Sequence, residues 1–306
     1  MAIEAVEEAF RQLGGGQAEN LPRRRLHSAK GMMHLMAASL PSAGYFGYKT
    51  YTVFPESIRF TVCLLSSESG ELLAVLEASQ LGQIRTGAAS GVATRWMARV
   101  DTKVIGIVGT GRQAYRQVEA VCQVRPVNQV VAYSRTPERL AQFCKKIHEQ
   151  LGVQCHAAKS ADEVAEAADV LVTITNSASP VFRGECLKPG THINAAGSNF
   201  LIKRELDETC IRRCRSIVVD SKDQARMECG EFLGPLQKGR LTWDQIRELS
   251  EVVTVRSLPR TDPKDITLFK SLGVALEDVA VAAKVYQLAR AQEVGRTMEF
   301  GAGLSG

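Results

Sequence analysis

Five apolar residues, Val104–Val108, run into Gly109-Thr110-Gly111-Arg112-Gln113-Ala114, and a helical pattern follows to Val124. A β-branched run of this kind suits a buried strand, and G-x-G-x-x-A between strand and helix is the dinucleotide fingerprint. In that arrangement Gly109 makes the tight turn, and Gly111 keeps a Cβ out of the path of a pyrophosphate. Ala114 lets helix and strand pack closely, while free N–H groups and the dipole at the helix N-terminus face the phosphates. In a chain rich in alanine and glycine the same string also occurs as an ordinary turn, so its meaning depends on what surrounds it.

A second apolar run, Gln129–Tyr133, ends where a Rossmann second strand presents the residue that reads the ribose. An Asp or Glu there would bond a 2′-hydroxyl. This chain instead has Ser134-Arg135-Thr136, with no carboxylate to repel a 2′-phosphate and one guanidinium fork to grip it. NADP(H) is therefore expected in preference to NAD(H). The competing reading is that Arg135 only solvates a strand end. Two further strand ends, Thr173–Asn176 with Thr175 and Asn176, and Asn194–Asn199, carry hydroxyls and amides that can meet a nicotinamide or substrate, although such residues are also routine turn formers.

The elements that must position these groups fall into two patterns. Ile3–Leu13 has a helical period, and Leu21–Leu76 then alternates short apolar runs with turn residues, as an antiparallel sheet of hairpins does. The arginines at 23–25 fit an exposed strand end. After Gly82 a helix lined with small residues, Ile84–Ala93, places Arg85 in its first turn, where it could meet an anion. From Thr102 strand alternates with helix, with further strands at Val153–Ala157, Val170–Thr175, Thr191–Ala196 and Ser216–Asp220, and a capping box at Ser160–Glu163. Six parallel strands are then complete before the break at Asp262–Asp265. An amphipathic helix, Val274–Ala291, is expected to return to the first domain, and the tail Glu299–Gly306 to be mobile.

The fold class is α/β: a doubly wound Rossmann sheet plus a smaller antiparallel α+β domain for substrate binding and dimerisation. The expected division is 1–98, 99–264 and a returning segment 265–306.

Composition narrows the function classes. The chain has 306 residues, 45% hydrophobic and 23% charged, with no long uncharged apolar run and no leader pattern, so neither secretion nor membrane spanning is expected. Eight scattered cysteines without a C-x-x-C pair read as reduced cytoplasmic thiols, with no metal site. The net charge of +5 suits small anionic ligands better than nucleic acid, because no basic stripe is interleaved with aromatics.

Assembled in order, the residues resemble the ornithine cyclodeaminase/mu-crystallin family over nearly the whole chain. Four blocks carry the resemblance: Pro22-Arg23 to Met36, Lys49 with its strand, Gln83–Ala89, and Thr267–Gly273 running on to Asp278. Between the last two lie the Gly109 turn and Asn194–Gly197. The resemblance implies a homodimer, with Arg23, Lys49 and Arg85 holding a substrate α-carboxylate beside the nicotinamide, and cofactor contacts extending to Thr86 and Ser271. Three converging cations would lower the lysine pKa by mutual repulsion, toward a value useful for proton transfer. Lys49 also sits on an otherwise apolar strand, where a lysine is unusual.

Two departures from the family pattern bear on the reaction. Where ornithine cyclodeaminases have a glutamate and an aspartate for the second amino group and ring closure, this chain has His34 and Asn199. Asn cannot act as a general base, and His34 offers no permanent negative charge. The resemblance then implies an NADPH-dependent reductase of 2-imino acids such as Δ1-pyrroline-2-carboxylate or Δ1-piperideine-2-carboxylate, giving an L-amino acid. Lys49 is the first candidate proton source and His34 the second. Ornithine cyclodeaminase, an alanine or N-alkyl amino acid dehydrogenase, and a non-enzymatic NADPH-dependent ligand-binding protein are the alternatives.

Overall fold

The alternating tract near the N-terminus folds as expected. In the computed structural model, which describes residues 1–256 and 258–298, helix α1 (Ala2–Gly14) leads into β1 (Glu19–His27), β2 (Met32–Leu40), β3 (Tyr45–Phe54), β4 (Ser57–Ser66) and β5 (Leu72–Glu77). These five strands pair antiparallel in sequential order. Because side chains alternate along a strand, register decides what shares a face. Arg25 lies opposite His34, His34 opposite Tyr51 and Tyr51 opposite Phe60, while Lys49 lies between Met36 and Val62. That face is closed off by α2 (Ser79–Met97) and the C-terminal helix, whose alanines and valines share one apolar core with Met36, Val62 and Leu64.

Helix α2 begins earlier than its small-residue run suggests, since the Gly82 N–H already bonds Ala78 at 2.8 Å. Arg85 therefore stands in the second turn, away from the free N–H groups of the first, and the expected help from the helix dipole is absent. The small residues serve helix packing: a Cβ on Gly87 would lie 2.4 Å from the Arg116 carbonyl oxygen on the next helix.

The second unit alternates β6 (Val104–Val108), α3 (Ala114–Val124), β7 (Gln129–Tyr133), α4 (Pro137–Leu151), β8 (Gln154–Ala157), α5 (Ala161–Ala167), β9 (Val170–Thr173) and β10 (His192–Ala195). It continues with α6 (Glu208–Arg213), β11 (Cys214–Val219), α7 (Lys222–Glu228), α8 (Gly230–Gln237), β12 (Ile246–Glu248), α9 (Leu249–Val253), β13 (Ile266–Lys270) and α10 (Ala275–Ala291).

The parallel sheet has eight strands, not the six expected, in the order β12-β11-β13-β10-β9-β6-β7-β8. The two extra strands are β12 at one edge and β13, which is inserted between β11 and β10. Thr267–Gly273 reads in the sequence only as the stretch that precedes the last helix, yet it holds a central strand whose Lys270 points inward. Lys270 is fully buried, with Nζ 2.7 Å from the Ser198 carbonyl oxygen and 3.2 Å from Glu231. The parallel sheet thus draws on both sides of the division expected at 264.

Nor is α10 amphipathic in its first half. Ala275–Ala283 is buried throughout, including Glu277 and Asp278. Ser160 does cap α5, accepting from the Glu163 N–H at 3.2 Å. The tail Glu299–Gly306 lies outside the described residues. None of the helices described is long and apolar enough to cross a membrane.

Candidate active site

The carboxyl ends of β6, β7, β9, β10, β11 and β13 meet the inner face of the antiparallel sheet, and two adjoining cavities open there. Ligands of open parallel sheets bind at such strand ends. The first cavity, of about 310 Å³, is lined by Arg23, His34, Lys49, Arg85, Thr86, Gln113, Asn199 and Ser271, together with Met32, Tyr51, Val53, Ile58, Phe60 and Phe200. The second, of about 750 Å³, is lined by Gly109, Gly111, Arg112, Gln113, Ser134, Arg135, Thr136, Arg139, Thr175 and Asn176. Ile58, Gln113 and Gly197 form a wall common to both. Of the residues singled out in the sequence, Thr110, Ala114, Thr173 and Asn194 line neither, and the last two are buried with Thr173 donating to Glu205 and Asn194 to Thr94. Ala114 is fully buried, and the Thr110 hydroxyl is buried without a partner.

The second cavity suits a dinucleotide. Gly109 has φ +101°, and a Cβ there would meet the Ile174 carbonyl oxygen at 2.7 Å; at Gly111 a Cβ would project into open space, where a phosphate could approach the backbone. No side chain caps α3, so its first N–H groups face that space. No carboxylate is among the lining residues, whereas Arg112, Arg135 and Arg139 are.

In the first cavity the three expected cations converge, each accompanied by carboxylates that lie behind it. Arg23 pairs with Glu228 and donates to the carbonyls of Leu272 and Gly273 at 3.1 and 2.8 Å. Lys49 Nζ lies 2.8 Å from Asp278 Oδ1. Arg85 reaches Glu277 at 2.7 Å and places Nε 3.1 Å from the same Asp278 oxygen. A fourth cation, Arg25, also pairs with Glu228, donates to the Asn199 carbonyl at 3.0 Å, and stacks over Phe200. Behind these four cations stand Glu228, Glu277 and Asp278 in direct contact and Asp220 at longer range, and burial raises Glu277 to about 8.

Sequence reasoning missed Glu228, Glu277 and Asp278. Two adjacent carboxylates in the first turn of an otherwise alanine- and valine-rich helix were the available signal for Glu277 and Asp278. Glu228 offered none, because α7 has an ordinary polar composition.

The electrostatics correct the expected origin of the lysine shift. Burial is the first cause bringing Lys49 down to about 8; Asp278 pulls it back up, and Arg85 and Arg23 push it down by lesser amounts. His34 falls to about 3 through burial, then through Arg23 and Arg25. A neutral imidazole stacked 4.0 Å from Tyr51 is not a proton donor near neutral pH. Asn199 lines the cavity beside Phe200.

A buried frame holds the strand-end loops. Asp220 Oδ2 accepts from the N–H groups of Leu272 and Gly273, both at 2.6 Å, and so fixes the loop whose carbonyls hold Arg23. Glu205 accepts from the Thr175 N–H at 2.6 Å, the Gly197 N–H at 2.8 Å and the Thr173 hydroxyl at 3.0 Å, tying together the loops after β9 and β10. Of the polar groups proposed from sequence, the Thr86 hydroxyl is turned into its own helix, donating to Gly82 at 2.7 Å. Ser271 Oγ stands 3.5 Å from Asp220.

Comparison with known proteins agrees with this architecture. The chain is 38% identical to a Δ1-pyrroline-2-carboxylate reductase of Bacillus cereus, over 83% of this chain and 80% of that one. It superposes with a TM-score of 0.93 on the Δ1-pyrroline-2-carboxylate reductase of Thermococcus litoralis in complex with NADH and L-proline, at 34% identity, covering 97% of this chain and 95% of that one. An archaeal alanine dehydrogenase dimer with bound NAD superposes at 0.91, with 35% identity and coverage of 98% and 94%. A family model matches residues 1–293, and with that match the chain belongs to the ornithine cyclodeaminase/mu-crystallin family.

Proposed function

We propose that this protein is an NADPH-dependent reductase of cyclic 2-imino acids of the Δ1-pyrroline-2-carboxylate or Δ1-piperideine-2-carboxylate type, producing the L-amino acid. The observation that carries the reading is the meeting of Arg23, Lys49 and Arg85 in a cavity that shares a wall with the glycine turn. The chain is an oxidoreductase acting on imino or amino acids, in keeping with the relatives described above.

Arg23 and Arg85 receive the substrate carboxylate through their guanidinium N–H groups, and orientation of the imine carbon follows from that anchor. When bound in the second cavity, the reduced nicotinamide supplies a hydride to that carbon. Lys49, with its pKa near 8, delivers the proton that the nitrogen gains as C=N becomes C–N–H. Asp278 holds the ammonium in place, and the closed face of the antiparallel sheet keeps bulk water from it.

The far end of the cavity supports a neutral ring as the substrate side chain. Met32, Val53, Ile58, Phe60 and Phe200 line this cavity together with a neutral His34, and no carboxylate lines the space. A δ-ammonium would find no counter-charge there.

Arg112, Arg135 and Arg139 beside Ser134 and Thr136 support NADPH over NADH. A homodimer is supported by the outer face of the antiparallel sheet, where Leu35, Phe46, Tyr48 and Val75 are exposed. Eight free cysteines support a reducing, cytoplasmic setting.

The test is a panel of pyrroline-2-carboxylate, piperideine-2-carboxylate, pyruvate with ammonia, and ornithine, each assayed with both reduced and oxidised nucleotides. The cyclic imines with NADPH should be turned over fastest. Ammonia release from ornithine as the dominant activity would replace this reading.

A further inference from the structure

A third cavity lies outside everything assigned so far. It measures about 630 Å³, twice the proposed substrate cavity, and shares no residue with either cavity described above. It sits where β11 begins, between α6, the Leu241–Arg247 segment and residues 258–261, at the end of the parallel sheet opposite the glycine turn.

Its walls carry Arg212, Arg215, Arg240 and Arg247, against Glu208 and Asp244. Glu208 is already shared by Lys238 at 2.5 Å and Arg240 at 3.1 Å. Among the described residues Arg212, Arg215 and Arg247 have no ion-pair partner, unlike Arg23, Arg25 and Arg85 in the first cavity. The wall carries four arginines against two carboxylates, with Lys238 beside Glu208 and Asp265 in the field of Arg215, an excess of two positive charges in a chain whose whole net charge is +5. The floor is apolar, formed by Ile211, Ile217 and Leu241.

Arg212, Arg215 and Arg247 are exposed at the rim of this concave surface, where like charges raise the local concentration of anions and guanidinium forks match phosphate oxygens in pairs. The volume falls within the range of small-molecule sites. We propose that this cavity binds a phosphorylated organic anion carrying several negative charges, with the phosphates on Arg212, Arg215 and Arg247 and the organic part on the apolar floor. Such a ligand binds only the folded chain and relieves the repulsion among the arginines, so it also stabilises the fold.

The test is calorimetric titration of the full chain with sodium tripolyphosphate, with citrate as a comparison. Wild type should show saturable binding whose dissociation constant rises at least tenfold in Arg215→Glu/Arg247→Glu. Arg135→Glu, in the dinucleotide cavity, should leave this binding in place. Turnover and the ligand-free melting temperature of the double variant report on folding; should that variant misfold, Arg215→Gln and Arg247→Gln singly are each expected to weaken binding about threefold. Unsaturable binding, binding lost through Arg135→Glu but not through the Arg215 and Arg247 changes, or citrate binding more tightly than tripolyphosphate would overturn the proposal.

Discussion

Lys49 on β3 and Asp278 on α10, 229 positions apart, meet at 2.8 Å inside the protein. The contact joins the antiparallel sheet to the last helix and sets the charge state of the ammonium. Asp278 favours the protonated lysine, so Asp278→Asn should lower the Lys49 pKa below its value of about 8. The alkaline limb of kcat/KM for imine reduction, where the acid is lost, should then move to lower pH by about one unit or more. A pH–rate profile measures this, and a limb that stays in place or moves upward contradicts the role.

The loop of Ser271, Leu272 and Gly273 connects Asp220 to Arg23, and Gly273 also touches Arg85. Its φ is +77°, and a Cβ there would lie 2.5 Å from an Arg85 nitrogen. Asp220→Asn leaves at least one buried N–H short of its acceptor, a loss of roughly 1–3 kcal/mol. The KM for the imino acid should rise about tenfold, with the cofactor KM changed less than about twofold. Steady-state kinetics with each substrate varied in turn separates this from general destabilisation, which would lower the active fraction and leave both KM values alone.

Arg135→Asp places a carboxylate where a 2′-phosphate would sit. Preference for NADPH over NADH, taken as the ratio of kcat/KM values, should fall by about ten- to a hundredfold, as expected for replacing a charge-assisted contact by repulsion. An unchanged ratio would mean that Arg135 only faces solvent.

The neutral histidine has a consequence for acid stability. The folded-state pKa of His34, about 3, lies below its ordinary value of 6.5, so the unfolded chain binds more protons in between. Its contribution to stability is complete above 6.5 and is lost as pH falls from 6.5 toward 3. His34→Phe, which keeps a ring against Tyr51, should lose less stability than wild type between pH 7 and pH 5, by about 1 kcal/mol once solvent screening at the cavity wall is allowed for. Urea denaturation at the two pH values gives that difference directly, and equal losses would show that His34 titrates normally in the folded chain.

What could be read in the sequence was what local pattern encodes. Alternation from Leu21 to Leu76 specified the antiparallel strands, and the run into Gly109 specified the turn, because both follow from neighbouring residues. The clustering of Arg23, Lys49 and Arg85 came from resemblance, since no local rule joins residues so far apart. Glu228, Glu277 and Asp278 went unseen for a related reason: a carboxylate on a helix normally faces water, and only tertiary packing buries it beside a cation. The central strand Ile266–Lys270 also went unseen, read only as the stretch before the last helix. The early start of α2 was obscured by Gly82, which reads as a boundary and is accommodated inside the helix.

In the proposed reaction Lys49 protonates an imino acid anchored by its neighbouring arginines. The most direct measurement of this step is NADPH oxidation with Δ1-pyrroline-2-carboxylate by wild type and Lys49→Ala, with cofactor binding followed separately by fluorescence. Wild type should turn over steadily, and the variant should show a kcat lower by about 10²- to 10⁴-fold with cofactor affinity retained. Turnover by Lys49→Ala at the wild-type rate would contradict this role.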